Sequence, residues 1–244
     1  MKEKRVKRMH KDIGIRRFNF ENVYNLRELG GYATKDNAFT NYNVYLRSDC
    51  LSELSVNEQE CLLSYGVTSV IDLRYNDEIL IAEDPFINTI GVAYYNIPLS
   101  NNLETITETS LGDAYVQMAK DKKFIRHFFK AAATSTGTLL FHCSAGKDRT
   151  GVVAALLLLL AGVDKEDIIA DYQVSYSYLQ PKFTKMPIVD NEKYGVFLNS
   201  NPENIIQLID WIEKKYKTIE TFLTESGVSI SEIAYIKNKF INSL

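Results

Sequence analysis

The residues of this chain best suited to chemistry lie in one run, His142-Cys143-Ser144-Ala145-Gly146-Lys147-Asp148-Arg149-Thr150-Gly151. A cysteine stands six positions before an arginine in a short stretch that contains a glycine. The apolar stretch Thr138 to Phe141 leads in, and ten apolar residues, Val152 to Ala161, lead out. The pattern is strand, loop, helix, with the loop at the helix N-terminus. Backbone N–H groups of such a loop converge on an anion, and the helix dipole favours negative charge there. A cysteine in that place, beside cations, is favoured as the thiolate. The arginine is a planar fork that matches two oxygens of one phosphate. The combination suits attack of sulfur on phosphorus and a phosphocysteine intermediate. It is not a nucleotide-binding loop, because no glycine stands five positions before Gly146 and a cysteine occupies the interior.

Each residue of the run has an expected role. Cys143 attacks in line with the leaving oxygen. Arg149 clamps two equatorial oxygens, more strongly in the transition state. Backbone N–H groups of Ser144, Ala145, Gly146 and Lys147 through Arg149 hold the rest. Thr150 is placed to bond the sulfur, or is an ordinary first-turn threonine. His142, ending a strand, points away from the pocket and orients the loop. An alkoxide or phenoxide leaves poorly, so a proton donor is needed. Asp148 inside the loop and Asp72, at the end of an expected neighbouring strand, are the candidates; Asp72 could instead partner Arg74 or the loop. Lys147 adds a cation, either for a multiply phosphorylated substrate such as a phosphoinositide headgroup or for general phosphate attraction.

The positioning elements alternate along the chain. Val44–Arg47 is a short strand candidate, and Ser55 with Glu58 forms a capping box for a helix ending near Gly66. Val67–Asp72 and Val92–Ile97 read as strands, the second stopped by Pro98. Asp113 to Ala133 reads as one helix or a kinked pair, and Thr138–His142 as the strand feeding the loop. Asp164 caps a helix reaching about Tyr176, Asn201 and Pro202 open another through about Tyr216, and Ser231 to Ile241 closes the chain. Gly30-Gly31 marks a turn needing positive φ. The implied fold is α/β, with a mainly parallel central sheet flanked by helices on both faces. The active loop then lies at the carboxyl end of a strand, where such sheets bind ligands.

The run His-Cys-x-x-Gly-Lys-Asp-Arg-Thr-Gly resembles the signature of the atypical bacterial tyrosine and lipid phosphatases. Asn25-Leu26-Arg27-Glu28-Leu29-Gly30-Gly31-Tyr32, Leu46-Arg47-Ser48-Asp49 and Val70-Ile71-Asp72-Leu73-Arg74 with Glu78 are similar to further blocks of that family. The tail from Tyr216 to Phe240 is similar to its closing helices. The similarity spans about residues 17–242. Glu28 stands where the family has Asp, which keeps the charge, while Pro181 to Ser200 matches poorly, so whether it forms a lid is open. The resemblance implies a protein-tyrosine-phosphatase-like fold, no cofactor, and phosphotyrosine or phosphoinositide substrates. It implies that the loop aspartate, Asp148, supplies the acid. Arg27, Arg47 and Arg74, each in a family-like block, are expected to pair with Asp72 or Glu78 and hold the site.

Composition bounds the rest. The 244 residues, 45% hydrophobic and 24% charged, suit one α/β domain over 18–244. Residues 1–17 carry eight Lys/Arg and two Asp/Glu, a net +6, while the remainder carries 20 and 29, a net −9. The basic tail is expected to be a solvated end with at most weak membrane-surface contact, and the acidic remainder argues against nucleic acid. No apolar run reaches a membrane span. Residues 1–17 lack the apolar core of a secretory signal. Cys50, Cys61 and Cys143 give an odd count, so a reducing, cytoplasmic setting is expected. His10, His127 and His142 are too scattered for a metal site. Two alternatives use the same loop without turnover: a phosphate-binding module, and a redox-sensing thiol resolved by Cys50 or Cys61. Tyr172, Tyr176 and Tyr178 read as packing residues.

Overall fold

The apolar strand Thr138–His142 ends where the Cys143–Lys147 loop begins. The computed structural model describes residues 16–99, 111–185 and 199–242. Strands are β1 (Arg27–Glu28), β2 (Phe39–Thr40), β3 (Tyr45–Ser48), β4 (Val67–Asp72), β5 (Ala93–Asn96), β6 (Thr138–His142) and β7 (Ile241–Asn242). The main sheet has the order β1-β3-β6-β4-β5, with β1 antiparallel to β3 and the other pairs parallel. Helices are α1 (Val56–Tyr65), α2 (Asn76–Ile81), α3 (Leu111–Lys120), α4 (Lys122–Thr134), α5 (Asp148–Leu160), α6 (Lys165–Lys185), α7 (Pro202–Tyr216), α8 (Ile219–Glu225) and α9 (Ile230–Phe240). No helix of the described residues is long and apolar enough to cross a membrane.

Alternation along the strands builds two cores. Tyr45, Ile71, Leu139 and Phe141 face a large cluster with α3, α4, α5, α7, α8 and α9, while Leu46, Val70 and Leu140 face a smaller one with Leu62 of α1. Helix α5 is apolar all round, and twelve of its residues are buried, including Val152 through Leu158. A helix with no wet face is fixed in rotation and depth, so its first turn, Asp148 to Thr150, is held firmly under the ends of β6 and β3.

The boundaries of several elements differ from the sequence expectation for physical reasons. Asp121 caps α4 by accepting from Phe124 N at 2.9 Å, so the 113–133 stretch is the pair of helices and not the single one, with the first opening two residues earlier at Leu111. Helix α6 continues past Tyr176 to Lys185 because its buried stripe, Ile168, Asp171, Tyr172, Ser175 and Leu179, continues too, and Pro181 is accommodated inside it. Gly31 does take positive φ (+82°), whereas Gly30 is required for space: a Cβ there would lie 2.7 Å from Tyr42 backbone. Of the expected basic tail, residues 1–15 lie outside the described residues. Arg16 and Arg17 are packed, not loose, with guanidinium carbons 3.7 Å from the Tyr32 ring centre and 3.8 Å from that of Tyr178. The lid question at Pro181 to Ser200 falls mostly on residues 186–198, also outside the described residues.

Candidate active site

Residues 143–147 form the loop between β6 and α5, and its shape follows from which carbonyls are tied down. Cys50 N donates to Ser144 O (3.2 Å), Asn25 Nδ2 donates to Ala145 O and Gly146 O (both 3.0 Å), and an Arg47 terminal nitrogen donates to Gly146 O (2.7 Å). In a planar trans peptide the next N–H points opposite to the carbonyl. Turning these three carbonyls outward therefore turns the N–H groups of Ala145, Gly146 and Lys147 inward. Gly146 has φ +66°, and a Cβ there would lie 2.4 Å from Ser48 O, so both conformation and space exclude a side chain.

Cys143 sits 2% exposed at the floor of this loop. Its sulfur accepts from Gly146 N at 3.3 Å and from the Thr150 hydroxyl at 3.1 Å. Arg149 faces it from the first turn of α5, 5% exposed. The two terminal nitrogens of Arg149 bond the two oxygens of Glu78 (2.6 and 2.7 Å), and one also reaches Ser144 Oγ at 3.1 Å. Ser144 Oγ donates to Glu78 as well. Burial raises the Glu78 pKa, but the hydrogen bonds from Arg149 and Ser144 and the guanidinium charge outweigh it and hold it at about 2.

Two aspartates were candidates for proton transfer, and their surroundings differ. Asp148 keeps 12% of its side chain exposed, accepts a hydrogen bond from the Tyr115 hydroxyl and lies 3.4 Å from Lys147 Nζ. Tyr115 is linked in turn to Tyr172 by a 2.8 Å hydroxyl contact. Asp72 is sealed. It accepts from Arg74 N, Nε and a terminal nitrogen, and from the Tyr94 hydroxyl at 2.9 Å. Lys147 is fully buried, with Nζ donating to Asn199 O at 2.8 Å.

His142 has the strand parity opposite to Cys143 and points to the other side of the sheet. Its Nε2 lies 3.0 Å from Asp84 and 3.6 Å from Asp72. Burial lowers the His142 pKa, but the charges of Asp72 and Asp84 more than offset that and raise it. Asp72, Asp84 and His142 could offer ligand atoms to a metal within 4.8 Å of one another. The Arg74 fork already occupies the Asp72 carboxylate and brings positive charge to the place, so the donor set reads as an ion-pair network.

The arginines divide differently from the sequence expectation. Arg74 pairs with Asp72, but Arg27 and Arg47 pair with neither Asp72 nor Glu78. Both converge on Asp171 of α6, Arg27 through Nε at 2.9 Å and Arg47 through a terminal nitrogen at 2.5 Å. Arg27 also donates to Asn25 Oδ1 at 2.5 Å. Asp171 thus anchors both arms, Arg47 and Arg27–Asn25, that hold the loop carbonyls. Glu78 belongs instead to Arg149. Asp171, Tyr115 and Asp84 were missed in the sequence. The signal for Asp171 was a carboxylate on the same stripe as Ile168, Tyr172 and Leu179.

The model of the tyrosine phosphatase family matches residues 18–242. The chain belongs to that family. A tyrosine-protein phosphatase of Nostoc commune is 38% identical over 151 residues, covering 57% of this chain and 51% of that protein. The chain therefore spans about half the length of this relative. The triple specificity protein phosphatase PtpB of Mycobacterium tuberculosis is 59% identical over 34 residues, 14% of this chain and 12% of that protein. The solved structure of P. aeruginosa TpbA covers 74% of this chain and 94% of its own at 14% identity, with a TM-score of 0.36. Within the family's matched region lie all the loop residues and the Asp171 anchor.

Removing that anchor should be costly. Asp171→Asn leaves two buried guanidinium groups with one carboxylate fewer, and a loss of about 3–5 kcal/mol is expected from urea unfolding at neutral pH. Burial raises the Asp171 pKa, but the Arg27 and Arg47 charges and hydrogen bonds outweigh it, so its folded pKa is depressed well below the unfolded value. The stabilisation is therefore fully present above about pH 4 and is lost as pH falls below it. The acid limb of the stability curve should be shallower in Asp171→Asn than in wild type; parallel limbs would contradict the assignment.

Proposed function

We propose that this chain is a cysteine-dependent phosphatase that hydrolyses phosphotyrosine monoesters through a phosphocysteine. Cys143 attacks phosphorus as the tyrosine oxygen departs, and Asp148 gives that oxygen its proton. Arg149 and the inward N–H groups of the loop hold the three equatorial oxygens as charge shifts onto them. Water then attacks the phosphocysteine, Asp148 takes a proton from it, and the Cys143 thiolate leaves with Thr150 donating to it. Inorganic phosphate and the starting enzyme result, and the reading requires no cofactor. Asp72 and His142 support the loop from outside it.

One observation carries this reading: a buried sulfur with two donors on it, at the floor of a loop whose carbonyls are tied outward, with a guanidinium across from it. Lys147 points to Asn199 O and Asp148, which favours its holding the loop over its reaching for a second phosphate. Phosphotyrosine is therefore the primary substrate class and phosphoinositides the secondary one. The test compares wild type with Cys143→Ser, without added metal, on a phosphotyrosine peptide, a phosphoserine peptide and phosphoinositides. Activity on the phosphotyrosine peptide that vanishes in Cys143→Ser, with a phosphoryl adduct of Cys143 seen by mass spectrometry after an acid quench, is the expected result. Turnover that survives Cys143→Ser would sink the mechanism, and faster lipid than peptide turnover would reverse the order of substrates.

A further inference from the structure

Helix α4 runs Lys-Lys-Phe-Ile-Arg-His-Phe-Phe-Lys, with its phenylalanines buried and its basic residues exposed. This is a basic face on a chain that is net acidic beyond residue 17. Three of its residues, Lys123, His127 and Lys130, line one side of a groove of about 610 Å³. Among the described residues, Asp121 at the helix start is the one acidic group on the same lining. The groove floor is the exposed flank of β5 and the turn after it, Tyr95, Ile97 and Pro98.

Strand β5 is an edge. Ile97 N donates to Asp72 O at 2.9 Å, so alternation turns the N–H and C=O of Tyr94 and Asn96 away from β4. Among the described residues no strand pairs with them. The chain leaving the groove at Pro98 continues to buried Leu99, whose N bonds the Leu73 carbonyl at 3.2 Å, and an Arg149 terminal nitrogen bonds the same carbonyl at 3.3 Å.

Resting on the phosphotyrosine reading, we propose that this groove binds the acidic flank of an extended polypeptide substrate, laid along the free edge of β5. Main-chain bonds to Tyr94 and Asn96 would hold the strand, and alternate side chains would face α4. Lys123 and Lys130 are seven residues apart on a helix, about 10 Å. Alternate residues of a strand recur every ~6.6 Å, so Asp or Glu at two or three alternating positions fits the stripe. A free phosphate or a lipid headgroup would have no use for the unpaired strand edge.

The experiment measures kcat/KM for two phosphotyrosine peptides that differ only in an acidic or a neutral flank, alongside p-nitrophenyl phosphate. Wild type should prefer the acidic flank by about five- to tenfold at low salt, and the preference should shrink as ionic strength rises. The double variant Lys123→Glu, Lys130→Glu should lose the preference while keeping its rate on p-nitrophenyl phosphate. The pair Lys214→Glu, Lys215→Glu on α7 makes the same change in net charge outside the groove and should keep the preference. Equal rates on the two peptides in wild type, or a preference that survives in the Lys123/Lys130 variant, overturns the groove. A preference lost equally in the α7 variant overturns it in favour of bulk charge. Absence of p-nitrophenyl phosphate turnover in wild type would instead bring down the phosphatase reading and the groove with it.

Discussion

Arg149→Lys is expected to lower kcat/KM on an aryl phosphate by about 10³-fold or more, while the protein stays folded. The magnitude follows from what the fork does. A guanidinium offers parallel N–H groups to two oxygens at once, and the transition state spreads charge over three equatorial oxygens. An ammonium keeps the charge and can keep an ion pair with Glu78, but it contacts one oxygen at a time. In this structure both terminal nitrogens of Arg149 are bonded to Glu78 and one also to Ser144. That arrangement fixes the guanidinium plane before any phosphate arrives, which is where its transition-state advantage comes from. Lysine at 149 has no plane to fix. Steady-state rates on p-nitrophenyl phosphate, with circular dichroism to confirm the fold, decide the point. A loss below about tenfold would mean that charge alone suffices and that the bidentate role is wrong.

How much of this was legible in the sequence depended on where each partner sits along the chain. The loop was legible because its chemistry is contiguous: cysteine, glycine and arginine lie within seven residues, and the flanking apolar runs declare the strand and the buried helix. The parallel centre of the sheet was legible for the same reason, since Val67–Asp72 and Thr138–His142 are short apolar runs whose limits match the strands, whereas the two-residue strands β1, β2 and β7 are too short to leave a pattern. The supports of the loop were not. Asp171 lies 124 positions from Arg47 and 144 from Arg27, and nothing local distinguishes a helix carboxylate that meets solvent from one that meets two buried arginines. Its presence on the buried stripe of α6, between Ile168 and Tyr172 and within the helix expected from Asp164 to about Tyr176, was the usable signal. Glu78 was seen but given the wrong arginine. A one-turn approach of α2 to the loop mouth is a tertiary fact with no periodic trace in the sequence. Tyr115 was hidden in the same way, as an apolar-face residue of α3 whose hydroxyl alone reaches Asp148.

The surroundings of Asp148 and Asp72 make opposite predictions for their amides, and leaving-group dependence separates them. Asp148→Asn should lower turnover of a phosphotyrosine peptide by about 10²–10⁴-fold, because the tyrosine oxygen needs a proton as it departs. On a phosphate whose leaving group is stable as an anion, such as p-nitrophenyl phosphate, the loss in that step should be far smaller. Asn can still accept from Tyr115, so the side chain stays in place and only the proton is removed. Asp72→Asn disturbs a carboxylate that accepts from Arg74 at three nitrogens and from Tyr94, with His142 beside it. The expected outcome is reduced stability and a loss of activity independent of the leaving group. Single-turnover rates of phosphocysteine formation isolate the step from hydrolysis, in which the proposed mechanism has Asp148 act in reverse as the base. Equal losses on both substrates for Asp148→Asn would remove it from the acid role. A leaving-group-dependent loss for Asp72→Asn would move the proton to the other side of the sheet, against the zero exposure of that side chain.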